Sequence, residues 1–201
     1  MQAVLWLPQD HIGVVVFGSC GEAKRLHPPN DYVASVLHHA RLGTLWIDLL
    51  SSEEMLARDK QQDIAMLAQR LHVACDWLRG QDATKDLPIG LFAGSDAAAP
   101  AMQLAAEREH DLAAIVLRGG RPDLAGNNVL CRNSVPTLLI AGGLDDGQVE
   151  QNRAAYASLR CKKKFEIIPG ATHAFDEPGC AEVVARLARG WFVRHASSHS
   201  H

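Results

Sequence analysis

No run of apolar residues in this chain is long enough to cross a bilayer. Those present, such as Ile12 to Phe17 and Leu138 to Ala141, are strand-sized, against the roughly 20 residues a membrane helix needs. Positive charge is also in short supply. The 20 Lys and Arg stand against 23 Asp and Glu, a formal net charge of −3. With no basic excess to neutralise phosphates, nucleic acid is excluded as an expected partner. The first residues, Met1-Gln2-Ala3-Val4-Leu5-Trp6-Leu7-Pro8, hold neither a basic leader nor a secretory cleavage pattern, so a cytoplasmic location is expected. Cysteine spacing is uninformative in a useful way. Cys20, Cys75, Cys131, Cys161 and Cys180 are odd in number, scattered, and never in a Cys-x-x-Cys pair. That argues against a disulfide framework and against a zinc site. Internal repeats and low-complexity linkers are missing too.

What is present is apolar residue, 47% of 201 positions, enough for one compact domain with a core. A single domain is expected over 1–195, with a polar tail over 196–201. His195, His199 and His201 are read with that tail as a frayed end rather than a metal site. β-rich runs at Ala3–Leu7, Ile12–Phe17, Thr44–Leu50, Pro88–Gly94, Leu112–Leu117, Thr137–Ala141 and Phe165–Ile168 alternate with helical patterns. Asn30 is expected to cap a helix through Leu42, ended by Gly43. A long amphipathic helix is expected over Gln61–Arg79, stopped by Gly80, and others over Asp96–Glu109, Val149–Leu159 and Glu177–Val193. Pro100 sits awkwardly in the second of these four, and Gly119 to Ser134 reads as a long loop. This alternation predicts an α/β domain: a doubly wound, mainly parallel sheet with helices on both faces. Sites in such sheets form at the carboxyl ends of strands.

Three chemistry-bearing residues fall just after predicted strands, in the order Ser95, Asp145, His173. In Leu91-Phe92-Ala93-Gly94-Ser95-Asp96-Ala97-Ala98-Ala99 an apolar run stops at small residues and an Ala-rich run begins. A strand turning sharply into a helix reads this way, and a serine at the turn is held exposed and strained. Ser95 is the candidate nucleophile, against the plainer reading of a helix cap. His173, in Pro169-Gly170-Ala171-Thr172-His173, is the candidate base, since imidazole accepts and returns a proton near neutrality. His27 is a weaker alternative. The acid that orients His173 is Asp145 or Asp146, with Asp145 favoured and its neighbour expected to cap the next helix. Oxyanion donors are expected from the backbone N–H of Asp96 and of Ser19, the latter in Gly18-Ser19-Cys20-Gly21, which alone reads equally well as a tight turn. Cys20 is the weaker nucleophile candidate because no elbow surrounds it.

These residues resemble the α/β-hydrolase fold and, within it, the small cap-less dienelactone hydrolase-like proteins. The resemblance covers nearly the whole chain. It rests on Gly13-Val14-Val15-Val16-Phe17-Gly18-Ser19, Pro29-Asn30-Asp31-Tyr32-Val33-Ala34, Thr44-Leu45-Trp46-Ile47-Asp48-Leu49-Leu50, Pro88-Ile89-Gly90-Leu91-Phe92, Arg118-Gly119-Gly120-Arg121-Pro122-Asp123-Leu124-Ala125, Pro136-Thr137-Leu138-Leu139-Ile140 and Gly170-Ala171-Thr172-His173. It implies that Ser95, Asp145 and His173 hold the places of nucleophile, acid and base. Matching Leu138-Leu139-Ile140-Ala141-Gly142 to the family's final-acid strand selects Asp145. Dienelactone hydrolases proper use cysteine as nucleophile, whereas many relatives use serine. Arg118 and Arg121 resemble a loop kept in similar proteins and either hold a substrate carboxylate or brace the loop, with bracing favoured. Arg118 and Phe175 are the candidate substrate contacts.

The chain departs from the family at Phe17-Gly18, where His-Gly is frequent, and at Ala93-Gly94-Ser95-Asp96-Ala97, where the elbow usually reads Gly-x-Ser-x-Gly. The expected activity is hydrolysis of small carboxylic esters or lactones through an acyl-enzyme, with no metal or cofactor. A catalytically decayed binding protein and an acyltransferase with the same triad are the competing readings. The expected partner is a small ester or lactone, with no membrane; homodimerisation stays open.

Overall fold

The computed structural model describes residues 2–20 and 28–196. Seven strands form one sheet: β1 (Ala3–Trp6), β2 (Gly13–Ser19), β3 (Leu42–Asp48), β4 (Ile89–Gly94), β5 (Leu112–Arg118), β6 (Thr137–Gly142) and β7 (Lys163–Ile168). Their spatial order is β1-β3-β2-β4-β5-β6-β7. Only β1 is antiparallel to its neighbour, with Ala3 opposite Ile47, and every other pairing is parallel. The helices are α1 (Pro28–His39), α2 (Arg58–Gln61), α3 (Ile64–Arg79), α4 (Ala98–Glu107), α5 (Asn127–Arg132), α6 (Asp146–Ser158) and α7 (Cys180–Ala196). No helix among the described residues is long and apolar enough to cross a membrane.

Side chains alternate along each strand, and that alternation divides the interior into two cores. Val14, Val16, Leu91, Ile115, Leu117 and Leu139 face one side, where they meet Leu67, Leu71 and Leu78 of α3 and Ala101, Met102 and Leu104 of α4. Val15, Phe17, Phe92, Val116, Leu138 and Ile140 face the other, against Val33 and Leu37 of α1 and Val184, Ala188 and Phe192 of α7. The central strands therefore read as continuous apolar runs, as strands covered on both faces must.

Several element ends differ from the sequence expectation. Asn30 lies inside α1 and is buried rather than capping it. The helix stops at His39, and Arg41, at φ 63, makes the left-handed exit assigned to glycine. Gly43 is instead a strand residue, where a Cβ would lie 2.6 Å from Leu7 Cδ2. The long amphipathic helix begins after Asp63, whose carboxylate accepts from the Met66 N–H at 2.9 Å. Pro100 is the third residue of α4, in the first turn, where its missing N–H has no intrahelical partner to lose. The 119–134 segment is not all loop: it carries a 3₁₀ turn at Pro122–Ala125 and the short α5. His195 belongs to α7, 4% exposed and edge-on to Trp191 at 4.7 Å, so it is a core residue and not part of a tail. His199 and His201 lie outside the described residues.

Candidate active site

Strand β4 delivers Ser95. Gly94 is still extended, and the chain then turns abruptly, with Ser95 at φ 47 before the 3₁₀ turn Ser95–Ala97 that leads into α4. A side-chain-bearing residue in this region costs about 1–2 kcal/mol, so the surroundings must hold it. They do so by close approach of small residues. Ala97 and Ala98 are buried. A Cβ on Gly120 would lie 2.4 Å from Ala98 Cβ and 2.9 Å from the Ser95 carbonyl oxygen. Ser95 and Asp96 are both exposed, and the Ser95 hydroxyl donates to Asp96 Oδ1 at 3.4 Å. The Asp96 N–H falls in the first turn of the helical stretch, where such groups lack intrahelical acceptors.

Asp145 follows β6 and His173 follows β7. The two loops are fastened together: the Gly143 N–H donates to Ile168 O and the Leu144 N–H to Ala171 O, each at 2.9 Å. Only glycine permits this at position 142, because a Cβ there would lie 2.3 Å from Thr172 O. The result sets Asp145 Oδ2 3.9 Å from His173 Nδ1. That is an ion-pair separation, longer than a hydrogen bond. Asp145 also caps α6, its Oδ1 accepting from the Gln148 N–H at 3.0 Å. The expectation that the neighbouring aspartate would cap is corrected: Asp146 is the first helical residue. One carboxylate serves both purposes with its two oxygens.

Sequence reasoning missed three supporting residues. Glu177 accepts the Thr172 N–H at 3.1 Å, next to His173, and this bond holds its carboxyl below the usual range. Asn152 donates to Gly120 O at 3.0 Å, fixing the loop under the elbow to α6. Gln148, through its N–H, orients Asp145. Only Gln148 left a trace in the chain, as the third residue after an N-cap aspartate.

Two cavities open at the strand ends, and Ser95 and His173 line both. The smaller, of about 180 Å³, is walled by Phe17, Trp46, Phe92, Ser19 and Arg118. Phe17 stacks on Trp46 and Phe92 with ring centroids 4.3 and 4.8 Å away. The larger, of about 480 Å³, is walled by Gln61, Ile64, Ala99, Arg121 and Leu124. Arg121 braces its own loop by a two-pronged pairing with Asp123 at 2.6 and 2.8 Å. Arg118 makes no such pairing; its Nε and Nη1 are buried without a hydrogen-bond partner. Phe175 is fully buried at 0% exposure, so no substrate reaches it. Its ring instead lies 5.5 Å from the Arg118 guanidinium carbon, beneath that group. Ser19 is 8% exposed and Cys20 2%, which removes Cys20 from reach as a nucleophile. His27 and Gly21 lie outside the described residues. Among the described residues, no group of three or more His, Cys, Asp or Glu side chains is arranged to hold a metal ion.

No family model matches the chain. The structure of a dienelactone hydrolase from Anabaena variabilis ATCC 29413 superposes with a TM-score of 0.89 at 42% identity, covering 96% of this chain and 91% of that one. Est1E from Butyrivibrio proteoclasticus superposes at 0.82 with 13% identity over 97% of this chain and 94% of its own, a likeness of fold alone. Two Mycobacterium tuberculosis proteins, from strains CDC 1551 / Oshkosh and ATCC 25618 / H37Rv, are 44% identical over 191 residues and bear the name "Putative phosphoribosyl transferase". The match takes in 95% of this chain, which spans only 43% of those relatives. Sheet order and parallel pairing are thus those of an α/β hydrolase. Within that class the chain belongs to the dienelactone hydrolase family.

Proposed function

We propose that the protein is a serine hydrolase of small carboxylic esters or lactones. The observation that carries this reading is the shared position of Ser95 and His173 on the rim of both cavities, with Asp145 facing the far nitrogen of the imidazole. Ser95 Oγ attacks the substrate carbonyl carbon while His173 Nε2 takes its proton. Asp145 keeps the other ring proton on Nδ1 and stabilises the imidazolium that forms. The carbonyl oxygen, now negative, is held by the N–H groups of Asp96 and Ser19. His173 then protonates the departing alkoxide. Water repeats the sequence on the acyl-enzyme, with His173 as base, and the acid leaves. In a lactone the leaving alkoxide stays tethered, and one hydroxy acid is released. Substrate binding and exclusion of water tighten the 3.9 Å Asp145–His173 approach, as catalytic contacts commonly do on forming the complex.

The phosphoribosyl transfer named for the mycobacterial relatives belongs to proteins of which this chain spans 43%, and no step of the reading above calls on it. Assay of purified protein on short aryl esters tests the proposal. Ser95→Ala should lower kcat/KM by at least about a thousandfold with KM little changed. Unchanged turnover in that variant would overturn the assignment. Added alcohol acceptors should leave free acid as the main product; an ester product would make the protein an acyltransferase.

A further inference from the structure

His173 sits on the loop between β7 and α7, and that loop is held from both sides of the imidazole. On the C-terminal side Phe175 takes φ 60, a left-handed conformation that a residue with a side chain adopts only under constraint. Its N–H closes a turn on Thr172 O at 3.3 Å, and its ring, fully buried, anchors that end. On the N-terminal side Glu177 Oε1 accepts the Thr172 N–H at 3.1 Å. A carboxylate is more than this bond requires, since any oxygen acceptor in that place would serve. Glu177 is partly exposed, yet its Oε2 is buried with no hydrogen-bond partner among the described residues. Covering an ionised oxygen that accepts nothing is costly.

The charges around the imidazole give that oxygen a purpose. Asp145 Oδ2 lies 3.9 Å from His173 Nδ1, and its Oδ1 is taken by the Gln148 N–H. Arg118 lines the smaller cavity together with His173. Burial pushes its guanidinium down to about 10, so it remains a cation at neutral pH. A cation on the same cavity opposes the positive charge that His173 acquires on taking the Ser95 proton. Asp96 shares the larger cavity with His173 but is exposed to solvent, and the field of Asp176 acts on Arg118. The Glu177 carboxyl is held below its usual range first by the Thr172 bond and in smaller part by the charge of His173. Glu177 is therefore ionised and within electrostatic reach of the imidazole. We infer that Glu177 is a positioning residue for the reaction, a role that rests on the hydrolase reading above: one oxygen fixes the backbone that presents His173, and the carboxylate charge steadies the imidazolium against Arg118.

Glu177→Gln keeps an oxygen for the Thr172 N–H and removes the charge. On a short aryl ester it should lower kcat by about threefold to tenfold with KM and Tm unchanged. Labelling of Ser95 by a fluorophosphonate probe should slow by a similar factor, which reads the same base without turnover. In an Arg118→Met background the Glu177→Gln change should cost a smaller factor, because the cation it offsets is gone. Glu177→Ala removes both contacts: kcat should fall further, and amide exchange at Thr172, slow in wild type and in Glu177→Gln, should quicken. A Glu177→Gln protein that matches wild type in kcat and in labelling rate overturns this role of Glu177 and leaves the hydrolase standing. So does a loss of equal size with and without Arg118, or Thr172 exchange that Glu177→Ala does not alter. Failure of the hydrolase reading looks different: wild type itself then cleaves no ester and carries no label on Ser95.

Discussion

Asp145 divides its two carboxylate oxygens between a helix cap and the His173 imidazole, and the two contacts can be separated by substitution. Oδ1 accepts the Gln148 N–H at 3.0 Å, and Oδ2 faces His173 Nδ1. Asparagine caps a helix about as well as aspartate but cannot hold the imidazole in the working tautomer. Asp145→Asn should therefore leave Tm almost unchanged while lowering kcat on a short ester by roughly 10³ to 10⁴; a melt and a rate on the same sample check both halves. The placement of Ser95, Asp145 and His173 after three strands was legible in the chain because apolar runs mark strands and Gly-rich breaks mark their ends. The double duty of Asp145 was not: the sequence reading gave the imidazole to Asp145 and the cap to its neighbour, whereas one carboxylate makes both contacts. Arg118 and Arg121 give the same lesson. Bracing was expected of both; Arg121 does brace, on Asp123 two residues beyond it, whereas Arg118 is buried against Phe175, distant in sequence.

At the scale of elements, the segment between β3 and α3 shapes the larger cavity, because Gln61 and Gln62 wall it. Its fold is set by a reciprocal cap: the Ser51 N–H donates to Glu54 Oε2 at 2.9 Å and the Glu54 N–H to Ser51 Oγ at 3.2 Å. Ser51-Ser52-Glu53-Glu54 carries the matching sequence signature. Glu54 also pairs with Arg70 of α3 through both oxygens, at 2.6 and 2.7 Å. The Arg70 hydrogen bonds hold the Glu54 carboxyl down at about 2, against an ordinary 4.5. A carboxyl depressed by folding stabilises fully above its unfolded value and loses that contribution as pH falls through its folded value. Glu54→Gln should thus lower Tm at pH 7, and the difference from wild type should shrink steadily between pH 4.5 and pH 2. A pH series of thermal melts reads this directly. The short α5 escaped the sequence reading because its 6 residues, Asn127–Arg132, present too few turns for an apolar stripe to declare itself. Gly43 misled for the opposite reason: it looked like a helix stop, yet it serves a strand that must pass under Leu7.

For the whole molecule, the sheet acts as a partition between two independent cores, and the candidate site stands on its carboxyl edge. Ile115 and Ile140 are both fully buried, one in each core. Ile115→Val and Ile140→Val should each cost about 0.5–1.5 kcal/mol. The double variant should show their sum to within about 0.5 kcal/mol, read from urea midpoints at constant m; strong coupling would mean that the two faces are not separate. The strand–helix alternation that builds this partition was the most legible feature of the chain, because a short continuous apolar run marks each central strand. How two cavities meet at Ser95 was not legible, because it depends on loops from β2, β3, β5 and β7 that only folding gathers. The central claim is that Ser95 becomes covalently acylated through His173. Its most direct test is reaction with a fluorophosphonate probe followed by peptide mass mapping. The account predicts a single adduct on Ser95, lost in Ser95→Ala and at least about a hundredfold slower in His173→Ala. An unlabelled Ser95 in folded wild-type protein, or labelling that proceeds equally fast without His173, would contradict it.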